Sequence, residues 1–358
     1  MSDLNETSEM LVANDSLEVY PWQKAAWNKL IQYKQSGKMP HALLLSGKKG
    51  LAKAELGMLW AKSLLCEQID KSVLKNSAVA CNQCVSCQLF NAETHPDFKL
   101  VQPEELGKAI KVDQIRELVD FVSLTRTRGT IRVIIVNPAE AMNTNAANSL
   151  LKTLEEPPEN TLLILVSSEP QFLPATIRSR CQQFPLSVSD MGQLHDWLMK
   201  TSKNTDYEVS FALNLAENAP LLGLSYLDSE IVKLSDDLLK DWQMLAQGAL
   251  KPTNVAEKWL KQPENVPIKL VYTWLVDMIR YHSLQGSIME QADVDQTQLL
   301  YYKDNEILKD LALSIPIKRL FGIYDKVIDM IKFGHTSLNK QLQFESLLIQ
   351  WSLIAQQK

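Results

Sequence analysis

The stretch Ala42-Leu43-Leu44-Leu45-Ser46-Gly47-Lys48-Lys49-Gly50-Leu51-Ala52-Lys53-Ala54 decides how the rest of the chain reads. A short apolar run stopped by Gly47 has the length of a buried strand. Leu51, Ala54, Met58, Ala61 and Leu65 then recur at helical spacing. Strand, glycine turn and helix together frame a phosphate-binding loop of the form G-x-x-x-x-G-K-S/T. In such a loop the backbone N–H groups cradle phosphates, the lysine reaches the β and γ phosphates, and the hydroxyl ligates Mg²⁺. Here Gly47 opens the loop, Gly50 lies within it and Lys53 holds the lysine position, but Ala52 stands where the second glycine belongs and Ala54 has no hydroxyl. The Ala52 methyl is expected to obstruct the close backbone approach that glycine permits.

Further short apolar runs lie at 98–101, 131–136 and 161–166, separated by helical patterns over 112–122 and 145–154. Strands alternating with helices predict a parallel α/β sheet covered on both faces. The run ending at Val136 passes into Asn137-Pro138-Ala139-Glu140. Carboxylates that hold Mg²⁺ and position water are expected there. Asn137 is a poor substitute, and Pro138 offers no side-chain chemistry. A glycine turn after a strand is common in α/β folds, so the loop alone leaves an ordinary turn open. The matching loss at the second strand favours a degenerate nucleotide site.

The layout divides into a flexible lead over 1–18, an α/β domain over 19–186, a small helical domain over 187–232 and a helical bundle over 233–358. In the small helical domain, Pro220 and Gly223 read as helix interruptions. In the bundle, Leu270, Trp274, Leu275, Met278 and Ile279 form one stripe, and Leu320, Ile323, Tyr324, Val327, Ile328 and Ile331 another. Leu342, Leu348 and Ile349 mark a third. Such stripes are the ordinary signature of helical core.

Four of the five cysteines, Cys66, Cys81, Cys84 and Cys87, cluster as C-x14-C-x2-C-x2-C in a module over 66–87. Four thiolates suit tetrahedral Zn²⁺, and the x2 spacing lets neighbours reach one ion. With every ligand supplied by the protein such a site is structural, not catalytic. An iron–sulfur cluster and unrelated thiols are the other readings. His95, next to Pro96, reads as a packing or turn residue.

The chain has 358 residues and a net charge of -5, which argues against coating nucleic acid by bulk electrostatics. No apolar run approaches the ~18 residues needed to cross a bilayer. The acidic start, with Asp3, Glu6 and Glu9, lacks the pattern of a signal peptide. These features predict a cytoplasmic protein with no membrane partner, whose thiols stay reduced.

With these residues assembled, the chain resembles clamp-loader subunits of the AAA+ class, above all the delta-prime family of bacterial DNA polymerase III. The resemblance rests on His41-Ala42-Leu43-Leu44-Leu45-Ser46-Gly47, on the cysteine module, and on Asn145-Ala146-Ala147-Asn148-Ser149-Leu150-Leu151-Lys152-Thr153-Leu154-Glu155-Glu156-Pro157-Pro158. It also rests on Leu173-Pro174-Ala175-Thr176-Ile177-Arg178-Ser179-Arg180-Cys181. It is strong over 40–185 and elsewhere follows only the helical layout. The gap between Cys66 and Cys81 is longer than the family's usual one, which implies a longer excursion before the second ligand.

The resemblance implies an AAA+ domain, a helical lid and a C-terminal collar, in a hetero-pentameric ring with motor ATPase subunits and delta. That ring loads a sliding clamp onto primed DNA, as part of a nucleotidyltransferase assembly. This member would carry structural Zn²⁺ and no functional ATP site, and would hydrolyse nothing itself. Ala219-Pro220-Leu221-Leu222, which lacks a sensor arginine, agrees with that. Arg180 would act in trans on a neighbour's nucleotide; read from sequence alone it is a surface arginine in a salt bridge worth ~0–1 kcal/mol. Lys152 would face DNA, or be a solvated lysine. Cys181 reads as a buried small residue. A weak P-loop ATPase or nucleotide-regulated switch using Lys53 is the rival function, and a zinc-stabilised AAA+ adaptor in another DNA transaction is a third.

Overall fold

A computed structural model describes residues 18–68, 79–105, 107–263, 265–286, 305–332 and 339–356. Most of the N-terminal lead and the middle of the Cys66–Cys81 excursion lie outside the described residues. Residues 1–203 with 218–224 form one compact unit, and 204–217 with 225–358 form a second.

The first unit runs α1 (Lys24–Gln35), β1 (Ala42–Ser46), α2 (Lys53–Leu65), α3 (Val85–Asn91), β2 (Phe98–Val101), α4 (Val112–Ser123) and β3 (Arg132–Val136). It continues with α5 (Thr144–Glu155), β4 (Thr161–Ser167), α6 (Ala175–Arg178), β5 (Gln182–Pro185) and α7 (Met191–Thr201). The five strands are parallel, in the order β2-β3-β4-β1-β5. This is the α/β sheet with flanking helices that the alternating runs predict.

The pleat explains why those runs are continuously apolar. Successive side chains point to opposite faces, and both faces are buried. Leu43, Leu45, Val133, Ile135, Ile164 and Val166 join one core with Trp27, Leu56 and Trp60. Ala42, Leu44, Ile134, Val136, Leu163 and Leu165 join the other with Ile115, Leu118 and Leu150. β5 carries no such signal, because it sits at the sheet edge and buries only Phe184.

A charged residue lies buried within the strands. Arg132 is 2% exposed and lies 3.4 Å from Asp97, itself wholly buried. The guanidinium donates to the carbonyls of Phe121, Leu124 and Thr125, closing the end of α4. Asp97 accepts from the backbone N–H groups of Thr127, Arg128 and Gly129. Burial alone would raise the Asp97 pKa; those three N–H bonds and Arg132 outweigh it and hold the carboxyl below its usual range. The pair fixes the loop that delivers the chain into β3.

The second unit is all helical: α8 (Asp206–Leu215), α9 (Pro220–Asp228, whose first turn belongs to the first unit), α10 (Ile231–Ala246) and α11 (Pro252–Leu260). Then come α12 (Val266–Gly286), α13 (Glu306–Ser314), α14 (Ile317–Lys332) and α15 (Lys340–Gln356). Its centre is tryptophan. Trp242 stacks on Trp351 at 4.1 Å, with Trp259 and Trp274 each 6.1 Å from Trp242. The Trp351 indole N–H donates to the Trp242 carbonyl at 2.9 Å, and that of Trp259 to Asp241 at 3.1 Å.

Two details depart from the sequence reading. Pro220 begins α9 and does not interrupt a helix, since a first-turn proline sacrifices an N–H that has no partner anyway; Gly223 lies inside the same helix. The third stripe also splits. Leu347, Leu348 and Trp351 are buried, whereas Leu342, Ile349 and Leu353 are exposed. Among the described residues no helix is long and apolar enough to cross a membrane.

Candidate nucleotide loop, cysteine cluster and arginine

The sheet brings the loop after β1 beside the chain leaving β4, because β1 pairs with β4 and Ser46 stands opposite Ser167. The loop between Ser46 and Lys53 is held tightly. A Cβ on Gly47 would meet the Leu186 carbonyl oxygen at 2.5 Å, and one on Gly50 would meet Leu222 at 2.9 Å. Both glycines also have positive φ. Ala52 takes φ 56° and ψ 42°, the left-handed conformation that a glycine would adopt at this place. For an L-residue this costs about 1–2 kcal/mol. The alanine therefore keeps the loop's course at an energetic cost.

Other residues hold that course in place. The Gln23 side-chain amide donates to the carbonyls of Ala52 at 2.6 Å and Leu51 at 3.1 Å. The Trp22 indole N–H also donates to Leu51, at 3.1 Å. Trp22 is stacked on Tyr20 and meets Trp197 edge-on. Nothing in the local pattern of residues 20–23 shows that they grip a loop thirty residues away in the chain.

Lys53 is 5% exposed. Its ammonium donates to the Lys48 carbonyl at 2.8 Å and to the Ser168 hydroxyl at 2.9 Å. Burial lowers its pKa to about 8, against the pull of Glu140 and Glu55 and with a further push from Lys49. Asn137 directly follows β3, nearly buried, and Pro138 comes next. The acid that reaches this edge is Glu140, two residues beyond the expected pair. Its Oε1 accepts from the backbone N–H groups of Ser168 at 2.8 Å and Glu169 at 3.2 Å. Oε1 of Glu140 thus shapes the end of β4, while its Oε2 is buried without a hydrogen-bond partner among the described residues.

In the cysteine module all four Sγ atoms lie within 4.8 Å of one another. Cys66 and Cys84 are 4.0 Å apart, as are Cys81 and Cys87. Tetrahedral Zn²⁺ with bonds near 2.3 Å sets sulfurs about 3.8 Å apart. The four side chains are therefore placed to hold a metal ion of that kind. Backbone N–H groups reach the sulfurs: those of Cys81, Cys84 and Cys87 point to Cys66, Cys81 and Cys84 respectively. α3 supports the module by carrying Cys87, with Cys84 as its N-cap. His95 is not a ligand. Its Nδ1 accepts from the Asp97 N–H, so Nε2 carries the proton toward Ser86, whose hydroxyl donates to the Leu65 carbonyl. It packs the module onto the sheet, and burial lowers its pKa.

Arg180 follows α6 and is about one-third exposed, paired with Glu155 at 2.7 Å. Cys181 beside it is buried, which pushes its thiol up to about 12. Lys152 is exposed in the last turn of α5. On the same helix Asn145, Asn148 and Ser149, with Val112 and Arg116, line a shallow polar depression between α4 and α5.

The profile of the family described as "DNA polymerase III, delta subunit" matches residues 22–190, and that of its C-terminal part matches 232–352. DNA polymerase III subunit delta' of Pseudomonas aeruginosa is 32% identical over 338 residues, covering 94% of this chain and 98% of that one. The chain belongs to the DNA polymerase III delta-prime family. The delta-prime subunit of Escherichia coli K12 is 32% identical over 59% of this chain and 61% of its own. The tau subunit of Bacillus subtilis is similar at 28% identity, over 88% of this chain and 56% of its own. The delta-prime family is thus matched over both the α/β unit and the helical one.

A buried lysine ammonium in a delta-prime chain has a measurable consequence. Its folded-state pKa lies below 10.5, so between about 8 and 10.5 the unfolded chain binds the proton more tightly and stability rises with pH. At pH 7 the buried charge costs its full amount, about 3 kcal/mol at 1.36 kcal/mol per pKa unit. Lys53→Met should therefore raise the urea midpoint at pH 7, and the gain should shrink between pH 8 and 10.5. A midpoint that falls at pH 7 would contradict the cost assigned to this charge.

Proposed function

We propose that this chain is the non-hydrolysing delta-prime subunit of a DNA polymerase III clamp loader. It completes a hetero-pentameric ring with motor ATPase subunits and delta, which loads a sliding clamp onto primed DNA in the cytoplasm. The observation that carries the reading is the state of the nucleotide edge. The strand, loop and helix are kept, yet Ala54 supplies no hydroxyl and Asn137 and Pro138 supply no carboxylate, while Lys53 is tied to Lys48 and Ser168. A site without the loop hydroxyl and without carboxylates at 137 and 138 lacks the usual ligands of the ion that neutralises developing charge in phosphoryl transfer. The chain is then no enzyme alone and serves the polymerase assembly as a part.

In this reading Arg180 is the catalytic contribution, offered to the γ-phosphate of a neighbouring subunit. Fingers of this kind are worth ~10³–10⁵ in rate. The four cysteines hold structural Zn²⁺, which supplies folding free energy and no reaction step. Lys152 contacts DNA phosphate beside the polar depression of α4 and α5. Residues 187–232 are the lid, and 233–358 the collar. Leu342, Ile349 and Leu353, exposed at i, i+7 and i+11 of α15, support the collar assignment, since core packing leaves that face uncovered.

Four measurements test these assignments. The purified chain should neither bind Mg-ATP tightly nor turn it over, and Arg180→Ala should lower the ATPase rate of the reassembled loader with assembly intact. Tight binding or turnover by the chain alone would favour the rival ATPase reading, and unchanged complex turnover would remove the finger. Elemental analysis should find one zinc per chain, lost in Cys84→Ser together with thermal stability. A metal-free wild-type chain of full stability would sink the zinc assignment. Lys152→Ala should reduce the salt slope of DNA binding by the complex by about one; an unchanged slope would make Lys152 a solvated lysine.

A further inference from the structure

The ion pair of Arg180 is made with a residue whose position is otherwise unfavourable. Glu155 is the last residue of α5, followed by Glu156 at the C-cap. Acids at this end run against the helix dipole, which favours cations there. Where a sequence breaks a local rule, a compensating role is the first thing to seek. The Arg180 NH2 group meets Glu155 Oε1 at 2.7 Å, and its NH1 donates to the Thr176 carbonyl at 2.9 Å. The backbone around it is also tied: the Gln183 amide donates to the carbonyls of Arg178 at 2.7 Å and Cys181 at 3.3 Å. A guanidinium has five N–H donors. These two bonds leave three for another acceptor, on a side chain still 35% exposed.

We infer that Glu155 is a positioning residue for Arg180: it holds the guanidinium in one orientation before a neighbour's phosphate arrives. The inference rests on the reading of Arg180 as a trans arginine. A free arginine loses rotamer freedom when it docks, and one already fixed has less to lose. The pair does not have to break for the arginine to act, because the remaining donors suffice for phosphate oxygens. A half-exposed pair contributes little to folding, so its removal should leave the fold and the assembly intact.

The test uses the loader reassembled with its ATPase subunits, carrying Glu155→Ala, Arg180→Ala or both. Glu155→Ala should lower kcat about tenfold, less than the ~10²-fold that a 1 Å misplacement of a reacting group can cost, with KM for ATP and the urea midpoint unchanged. Glu155→Gln, which keeps an acceptor without the charge, should fall between Glu155→Ala and wild type. In the double variant kcat should equal that of Arg180→Ala alone, because Glu155 acts only through Arg180. A Glu155→Ala kcat that is unchanged or raised while Arg180→Ala falls overturns this inference alone. So does a double variant whose losses multiply. If Arg180→Ala itself leaves kcat unchanged, the trans-arginine reading fails and this inference falls with it.

Discussion

Everything at the nucleotide edge depends on the parallel pairing of β1 with β4. A parallel strand cannot return by a tight turn, so each strand must be left through a crossover. Those crossovers place helices on both faces and all strand ends on one edge, where open α/β sheets bind ligands. The register Ser46↔Ser167 sets the glycine loop next to Ser168. From that alignment follows the Lys53–Ser168 bond, while the β3–β4 pairing brings Glu140 to the end of β4 and the β1–β5 pairing, with Ser46 opposite Pro185, sets Leu186 against Gly47.

The loop keeps its glycine-type course although Ala52 and Ala54 depart from the phosphate-binding pattern. Ala52 adopts a backbone conformation that suits glycine, and Lys53 keeps a buried ammonium at a cost in stability. Both are explicable if the loop is a fixed structural part. Gln23 and Trp22 clamp its carbonyls, so its course no longer depends on phosphate. The same economy appears at β3, where Glu140 accepts backbone N–H groups.

The cysteine module and the buried Asp97–Arg132 pair form a second framework beneath the first. His95 connects them: it bonds Ser86 of α3 on one side and takes the Asp97 N–H on the other. Asp97 in turn orders the turn at residues 127–129 that leads into β3. A metal held by the cysteines would therefore steady β3, which leads into Asn137.

The sequence by itself determined the sheet, the loop, the cysteine set and the family. Strand interiors buried on both faces must be continuously apolar, and x2 cysteine spacing is short enough to be local chemistry. The departures from the phosphate-binding pattern at Ala52, Ala54, Asn137 and Pro138 were equally legible, since each is visible in one letter. Edge strand β5 was not, because Phe184 alone cannot show a period. Nor was the split of α15, where the adjacent letters Leu348 and Ile349 lie about 100° apart around the helix, one buried and one exposed. Only the tertiary structure decided where Glu140, Gln23 and Glu155 act. Each of these polar side chains meets a partner far away in the chain, and such meetings are set by strand order and helix docking. No local pattern records them.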